Sequence, residues 1–415
     1  MSESDAMPRG LARLGPGILI AATGVGAGDL IAAAVAGRQF GLALLWVVVM
    51  GALCKWLLNE GIARWSLATG ESVIKAWATR LPRSIFWYFG TYLVVWGFLV
   101  GGALGSACGV AFKAFWPDAP GSVAVWAVVH ALAGGVVVGV GRYQLFERVM
   151  QTLIALMFLF VIGCGIALVQ NWPAVFAGLV VPKIPEGALW VSLGLMGGVG
   201  GSATLLCYGY WLKEKGWEGP RYHRVARWDL LLAYGLTAAF GIAMVIIAAE
   251  AEPRDASGTA LVVALSEELS SKLGTFGGTV FLGGFWCAVF TSLLGVWQGV
   301  PYLFEDWWKN RRSDIAAAGS TSGTSRSYYS FLIYLMMFPL VLQVMDRPLL
   351  VVMLYAVAGA FFMPLLASTL LVLNNRRDWV GDLKNPLGTN LGLVASLVLF
   401  GLLFALELKN RFGGG

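Results

Sequence analysis

Residues 15–37 read GPGILIAATGVGAGDLIAAAVAG, and residues 189–212 read LWVSLGLMGGVGGSATLLCYGYWL. Each is long and apolar enough to cross a bilayer, which takes about 20 residues of helix. Each is also interrupted halfway. The first carries Thr23-Gly24-Val25-Gly26-Ala27-Gly28-Asp29, and the second carries Gly197, Gly198, Gly200, Gly201, Ser202 and Thr204. Glycine at this density disfavours a continuous helix and permits unwound backbone. The peptide groups freed at such a break survive inside a bilayer only where they face protein or a water-lined cavity. Close helix packing explains one such cluster alone. Two at matching positions, five helices apart, predict two inverted five-helix repeats with a site where the broken helices meet. The string GVGAGD is not read as a nucleotide loop, because it lies within a span and no strand precedes it.

Composition carries the same message over the whole chain. Of the 415 residues, 58% are hydrophobic and 13% charged, where a soluble domain has roughly 25% charged residues. Too little polar surface remains to cover a water-soluble particle of this size, so the surplus apolar surface faces lipid. Fifty-four glycines suit close-packed and broken membrane helices.

Eleven segments qualify as spans, at roughly 15–38, 41–67, 84–115, 122–141, 148–169, 187–212, 229–250, 273–303, 329–346, 348–373 and 388–408. With the N-terminus inside, the cytoplasmic segments hold 19 of the 29 Lys and Arg residues and the outer segments hold 8. A miscounted helix would invert every later loop and erase that bias. The sequence therefore predicts an all-α polytopic membrane protein in one transmembrane domain. Its first repeat is 15–169, its second is 187–373, and an extra helix covers 388–408, with the C-terminus outside. The net charge of +6 sits in short loops and reads as a topology signal, with no nucleic-acid partner expected. The five cysteines, Cys54, Cys108, Cys164, Cys207 and Cys287, lie inside apolar segments without CxxC spacing. They read as small core residues. The opening MSESDAMPRG has no signal-peptide pattern, and 316–327 reads as a flexible cytoplasmic loop.

Several further stretches share one likeness: AGRQFG (36–41), LLW (44–46) and LLNEGIARWSLATGES (57–72). They are joined by Arg142-Tyr143 with Glu147-Arg148, Pro364-Leu365-Leu366, and Val380-Gly381 with Asn385. With these the chain resembles the natural resistance-associated macrophage protein (Nramp) family over nearly its whole length. The resemblance implies the leucine-transporter-type fold and, for most members, proton-coupled transport of divalent metals. The family's metal motifs are not carried over. Its Asp-Pro-Gly-Asn falls on Gly26-Ala27-Gly28-Asp29, and its Met-Pro-His falls near Gly200-Gly201-Ser202. Span 3 contains no Asp or Glu, and His130 and His223 are the chain's two histidines.

The residues read as substrate-binding are Gly26, Ala27, Gly28, Asp29, Gly200, Gly201, Ser202 and Thr204. Asp29 with the hydroxyls offers oxygen ligands for Na⁺ or a hydrated Mg²⁺, a poor set for softer transition metals. Half-helix N-termini with neutral hydroxyls equally suit a small anion. Asp29 reads as a cation ligand, a proton carrier or a helix N-cap. Lys55, near the middle of span 2, reads either as fixed positive charge on an anion path or as the partner of an acid. Glu60 and Arg64, spaced i, i+4, read as a structural ion pair. Thr291 and Ser292 in span 8 are coupling-ion candidates by fold analogy, against hydroxyls bonded back to their own helix.

From sequence the lean is to a small anion such as bicarbonate, coupled to Na⁺ or H⁺, because the transition-metal ligands are lost. The alternative is a divalent metal cation, Mg²⁺ or Mn²⁺. No cofactor is expected. A membrane sensor is the competing class, and an enzyme is disfavoured because no clustered histidines or paired carboxylates appear.

Overall fold

The computed structural model describes residues 15–140, 143–198, 201–251, 259–311, 325–345 and 348–412. Every regular element among them is helical. The first expected span is split into α1 (Gly17–Gly24) and α2 (Ala27–Phe40), and the second span is α3 (Leu45–Thr69). A short α4 (Val73–Thr79) follows, started by Ser72, whose hydroxyl accepts the Lys75 N–H at 3.0 Å. Next come α5 (Arg83–Phe115), α6 (Val123–Val140), α7 (Tyr143–Leu168) and the short α8 (Trp172–Val180). The sixth expected span is again in two parts, α9 (Leu189–Gly198) and α10 (Cys207–Glu214). The rest of the chain forms α11 (His223–Ala251), α12 (Thr259–Asn310), α13 (Arg326–Met337), α14 (Pro348–Leu373), α15 (Arg377–Val380) and α16 (Leu387–Phe412). Helix α12 is two helices joined at Gly274, whose φ of 78° no side-chain-bearing residue adopts readily.

Among the described residues, five helices are by themselves long and apolar enough to cross a bilayer, or six if Arg377–Leu383 and Leu387–Leu402, bent by 114°, form one span. The difference from eleven has a physical origin. Two expected spans are broken in their middles, and Val123–Gly139, Arg326–Leu342 and Phe361–Leu373 are shorter apolar helices.

The broken helices lie at the centre. α1 and α2 pack against α11, α12 and α9, while α5, α6 and α7 close round α12. Small residues allow the tightest crossings: a Cβ on Gly37 of α2 would lie 2.2 Å from the Val245 carbonyl of α11. Large apolar side chains on the outside, among them Leu159, Val180 and Leu391, are exposed. That outer surface is what lipid would cover.

Candidate functional site

Helix α1 ends at Gly24, and α2 starts only at Ala27, where the Gly26 carbonyl accepts the Leu30 N–H at 3.1 Å. The carbonyls at the end of α1 have lost their helical partners, and α12 supplies replacements. Ser292 Oγ donates to the Thr23 carbonyl at 2.8 Å. Thr291 Oγ1 lies 3.3 Å from the Ala22 carbonyl but closer to its own helix, 2.8 Å from Cys287 O and 3.0 Å from Ala288 O. Gly26 leaves no room for a side chain, since a Cβ there would lie 2.7 Å from Ser292 Oγ. An aspartate at this position, as the family motif would place it, needs Ser292 to move. Gly28 is equally close to another chain segment, its would-be Cβ lying 2.7 Å from the Tyr355 hydroxyl on α14.

The second break follows α9. Gly201 has φ +82°, and Ser202 leads into a 3₁₀ turn, Ala203–Leu206, that joins α10. Lys55 reaches this break from mid-α3. Its Nζ donates to the Gly197 carbonyl at 2.7 Å and also to the Gly201 carbonyl. The side chain is 0% exposed. The Gly197 oxygen belongs to the last turn of α9, the negative end of that half-helix's dipole, so the ammonium is held by both dipole and hydrogen bonds.

The two breaks share a small chamber. Thr23 and Gly24 line it from α1, Gly201, Ser202 and Thr204 from the second break, Trp96 from α5, Ser292 from α12 and Tyr355 from α14. It has room for about one water molecule. Thr23 Oγ1, Ser202 Oγ and Trp96 Nε1 are buried without a hydrogen-bond partner among the described residues. The Tyr92 hydroxyl, beside Ser202, is also buried without a well-formed bond. Unsatisfied polar groups are rare in protein interiors, and these four of those among the described residues sit where the broken helices meet. Hydroxyls accept and donate, whereas the indole N–H and the ammonium only donate.

Polar ties hold the helices around this centre at the end where α1 begins. Asp229 of α11 accepts the N–H groups of Gly15 at 2.8 Å and Gly17 at 2.7 Å, and the Tyr208 hydroxyl at 2.9 Å. One carboxylate thus joins the start of α1, α10 and α11. Glu60 Oε1 accepts from Arg64 Nη2 at 2.5 Å and lies 2.8 Å from His223 Nε2, while Arg64 also donates to the Leu383 carbonyl at 2.9 Å. Asp306 of α12 accepts from the Tyr210 hydroxyl at 2.6 Å and from Ser72.

Of the sequence-predicted site residues, the structure brings Gly201, Ser202, Thr204 and Ser292 to one chamber and sets Gly26 against Ser292. Ala27 and Asp29 lie in the first turn of α2, and their side chains are outside the described residues, as is Gly200. Lys55 holds the second break, and Thr291 bonds to carbonyls behind the chamber. Thr23, Tyr92, Trp96, Tyr355 and Asp229 were not anticipated. Tyr92 and Trp96, four residues apart on one face of span 3, were the available signal. All five cysteines are buried and free. No group of three or more His, Cys, Asp or Glu residues that could hold a metal occurs among the described residues.

The model of the family described as natural resistance-associated macrophage protein-like matches residues 17–408. The chain belongs to the Nramp family. It is 24% identical over 420 residues to a protein of Yersinia pestis named divalent metal cation transporter MntH, with 94% of this chain and 93% of that protein covered. The MntH of Klebsiella pneumoniae is 25% identical over 259 residues, covering 58% of this chain and 59% of that protein. Among solved structures, a manganese transporter of Eremococcus coleocola superposes with TM-score 0.76 at 16% identity, covering 100% of this chain and 92% of that one. MhsT, solved with L-phenylalanine, superposes with TM-score 0.60 at 18% identity, covering 94% and 98%. At these identities the likeness establishes a shared fold. Family and apolar helices together make this Nramp chain an integral membrane protein.

Proposed function

We propose that this chain is a secondary transporter of a small inorganic ion, working by alternating access around the junction of its two broken helices. Eleven spans in two inverted repeats, with the N-terminus cytoplasmic, are part of the proposal. The observation that carries it is the chamber shared by the two breaks, into which Thr23, Ser202, Thr204, Ser292 and Tyr355 bring hydroxyls and which is about one water molecule in size. A site that small suits an ion rather than an organic substrate. Kinship with transporters favours this reading over a sensor or an enzyme.

For the cargo, kinship reverses the order in which sequence ranked the candidates. The relatives are named for divalent metal cations and manganese, which supports a divalent cation, Mg²⁺ or Mn²⁺, moved with or without a proton. The chamber's hydroxyls are oxygen donors, and a hard cation that keeps part of its water shell can use them. One observation favours a second reading, a small anion such as bicarbonate: Lys55 places an ammonium on the second break while Trp96 offers a donor-only group. The relatives give that reading no support.

The test is uptake by purified protein in liposomes, comparing Mn²⁺, Mg²⁺ and bicarbonate with and without proton and Na⁺ gradients. Saturable Mn²⁺ or Mg²⁺ uptake is expected. Bicarbonate flux that persists after divalent ions are chelated, with no metal uptake, overturns the cation reading. No flux of any of the three overturns transport of this cargo class.

A further inference from the structure

We propose that Lys55 is a specificity-determining residue whose ammonium is a resident cation, occupying the carbonyl oxygens at the second break that a cargo cation would otherwise use. The inference rests on the reading that cargo binds where the broken helices meet. Gly197 lies in the last described turn of α9, and Gly201, with φ +82°, lies in the break beyond it. Free carbonyl oxygens that converge in a dry interior are what proteins use to replace the water shell of a cation. Here two of them, on Gly197 and Gly201, converge on Lys55 Nζ.

The placement is costly. A lysine in the middle of a membrane helix is retained only where it is matched by acceptors or water. Helix α3 delivers this one fully buried to the second break, and Gly201 is both a lysine acceptor and part of the chamber wall. The protein's own positive charge therefore stands beside the cargo. A divalent cation entering the chamber meets one positive charge and two carbonyls already engaged. Binding is weakened, and only the better-suited hard ions compete. A purely structural lysine would cap α9 in the same way without altering what the chamber binds, so the two roles separate by experiment.

Wild-type protein and the variants Lys55→Met, Lys55→Gln and Lys55→Arg are purified, and the fold of each is checked by size exclusion and thermal unfolding. Each is titrated with Mn²⁺ and Mg²⁺ by calorimetry and assayed for uptake of both in liposomes. Met removes the charge at similar length, and Gln retains an amide donor for one carbonyl. The expected result is Mn²⁺ binding at least tenfold tighter in the Met and Gln variants than in wild type, and no tighter in the Arg variant. Folded neutral variants that bind Mn²⁺ no tighter than wild type overturn the proposal. So does failure of both neutral variants to fold, which leaves Lys55 a structural pin. A wild type that takes up neither metal while the neutral variants gain Mn²⁺ binding overturns the divalent-cargo reading and leaves the assignment of Lys55 standing.

Discussion

Asp229→Asn tests how the start of the first broken helix is held. In the wild type the two carboxylate oxygens accept from Gly15 N, Gly17 N and the Tyr208 hydroxyl, at 2.7–2.9 Å, with Asp229 4% exposed. Asparagine keeps the shape but turns one oxygen into an NH₂ donor. If its oxygen stays on Gly15, the NH₂ faces the Gly17 N–H, and that bond is lost. The tyrosine hydroxyl can turn and accept, which limits the damage. A hydrogen bond to a charged group contributes about 1.5–3 kcal/mol, and the surviving Gly15 bond falls to the neutral value of about 1 kcal/mol. The net cost is about 2–4 kcal/mol. At about 1.4 kcal/mol per factor of ten, even the lower end raises the population with α1 detached from α10 and α11 roughly 30-fold. Cys207 reports this opening, because it starts α10, is 0% exposed and adjoins Tyr208. Maleimide modification of Cys207, followed by mass spectrometry, is expected to accelerate at least tenfold in the variant, with a lowered unfolding midpoint. An unchanged midpoint together with an unchanged Cys207 rate would refute the reasoning.

Three further substitutions probe separate parts of the account. Gly26→Ala puts a Cβ about 2.7 Å from Ser292 Oγ, which is tied to the Thr23 carbonyl, so overpacking is expected to cost about 1–3 kcal/mol in unfolding experiments. An unchanged stability would show that the break is looser than described. Trp96→Phe removes a buried N–H that has no partner among the described residues, so stability is expected to hold or rise. Cargo affinity then discriminates: a cation binds as well or better, whereas an anion binds more weakly. Glu60→Ala leaves the Arg64 guanidinium buried without its carboxylate, and a loss of about 3–5 kcal/mol is expected by reversible unfolding in mixed micelles. A loss below about 1 kcal/mol would mean that the Leu383 carbonyl and His223 suffice.

The architecture was legible because its signals are chemical and local. Glycine density marked both breaks: Gly24 and Gly26 lie where α1 gives way to α2, and Gly201, with φ +82°, lies in the break after α9. The i, i+4 spacing of Glu60 and Arg64 marked their pair. What could not be read is what depends on convergence. Nothing near Lys55 in the chain indicates that it reaches carbonyls 142 and 146 residues away. Trp96, Thr23 and Tyr355 join one chamber only because α5, α1 and α14 meet there, and each alone resembles an ordinary core residue. Asp229 is the first residue of the span 229–250, and nothing near it in the chain points to Gly15 and Gly17, which lie 214 and 212 residues away. Ranking bicarbonate above a divalent cation came from motif loss alone. Motif loss shows which ligands are absent, not which ions the remaining oxygens accept.

The most direct test of the central claim is uptake, by Ser202→Val protein in liposomes, of whichever ion the wild type carries. Ser202 is 3% exposed, lines the chamber from the second break and faces Gly359 of α14. Valine there replaces an oxygen with apolar bulk. If cargo passes through the junction of the two breaks, uptake by the folded variant falls at least tenfold. Uptake at the wild-type rate would place the path elsewhere and contradict the account.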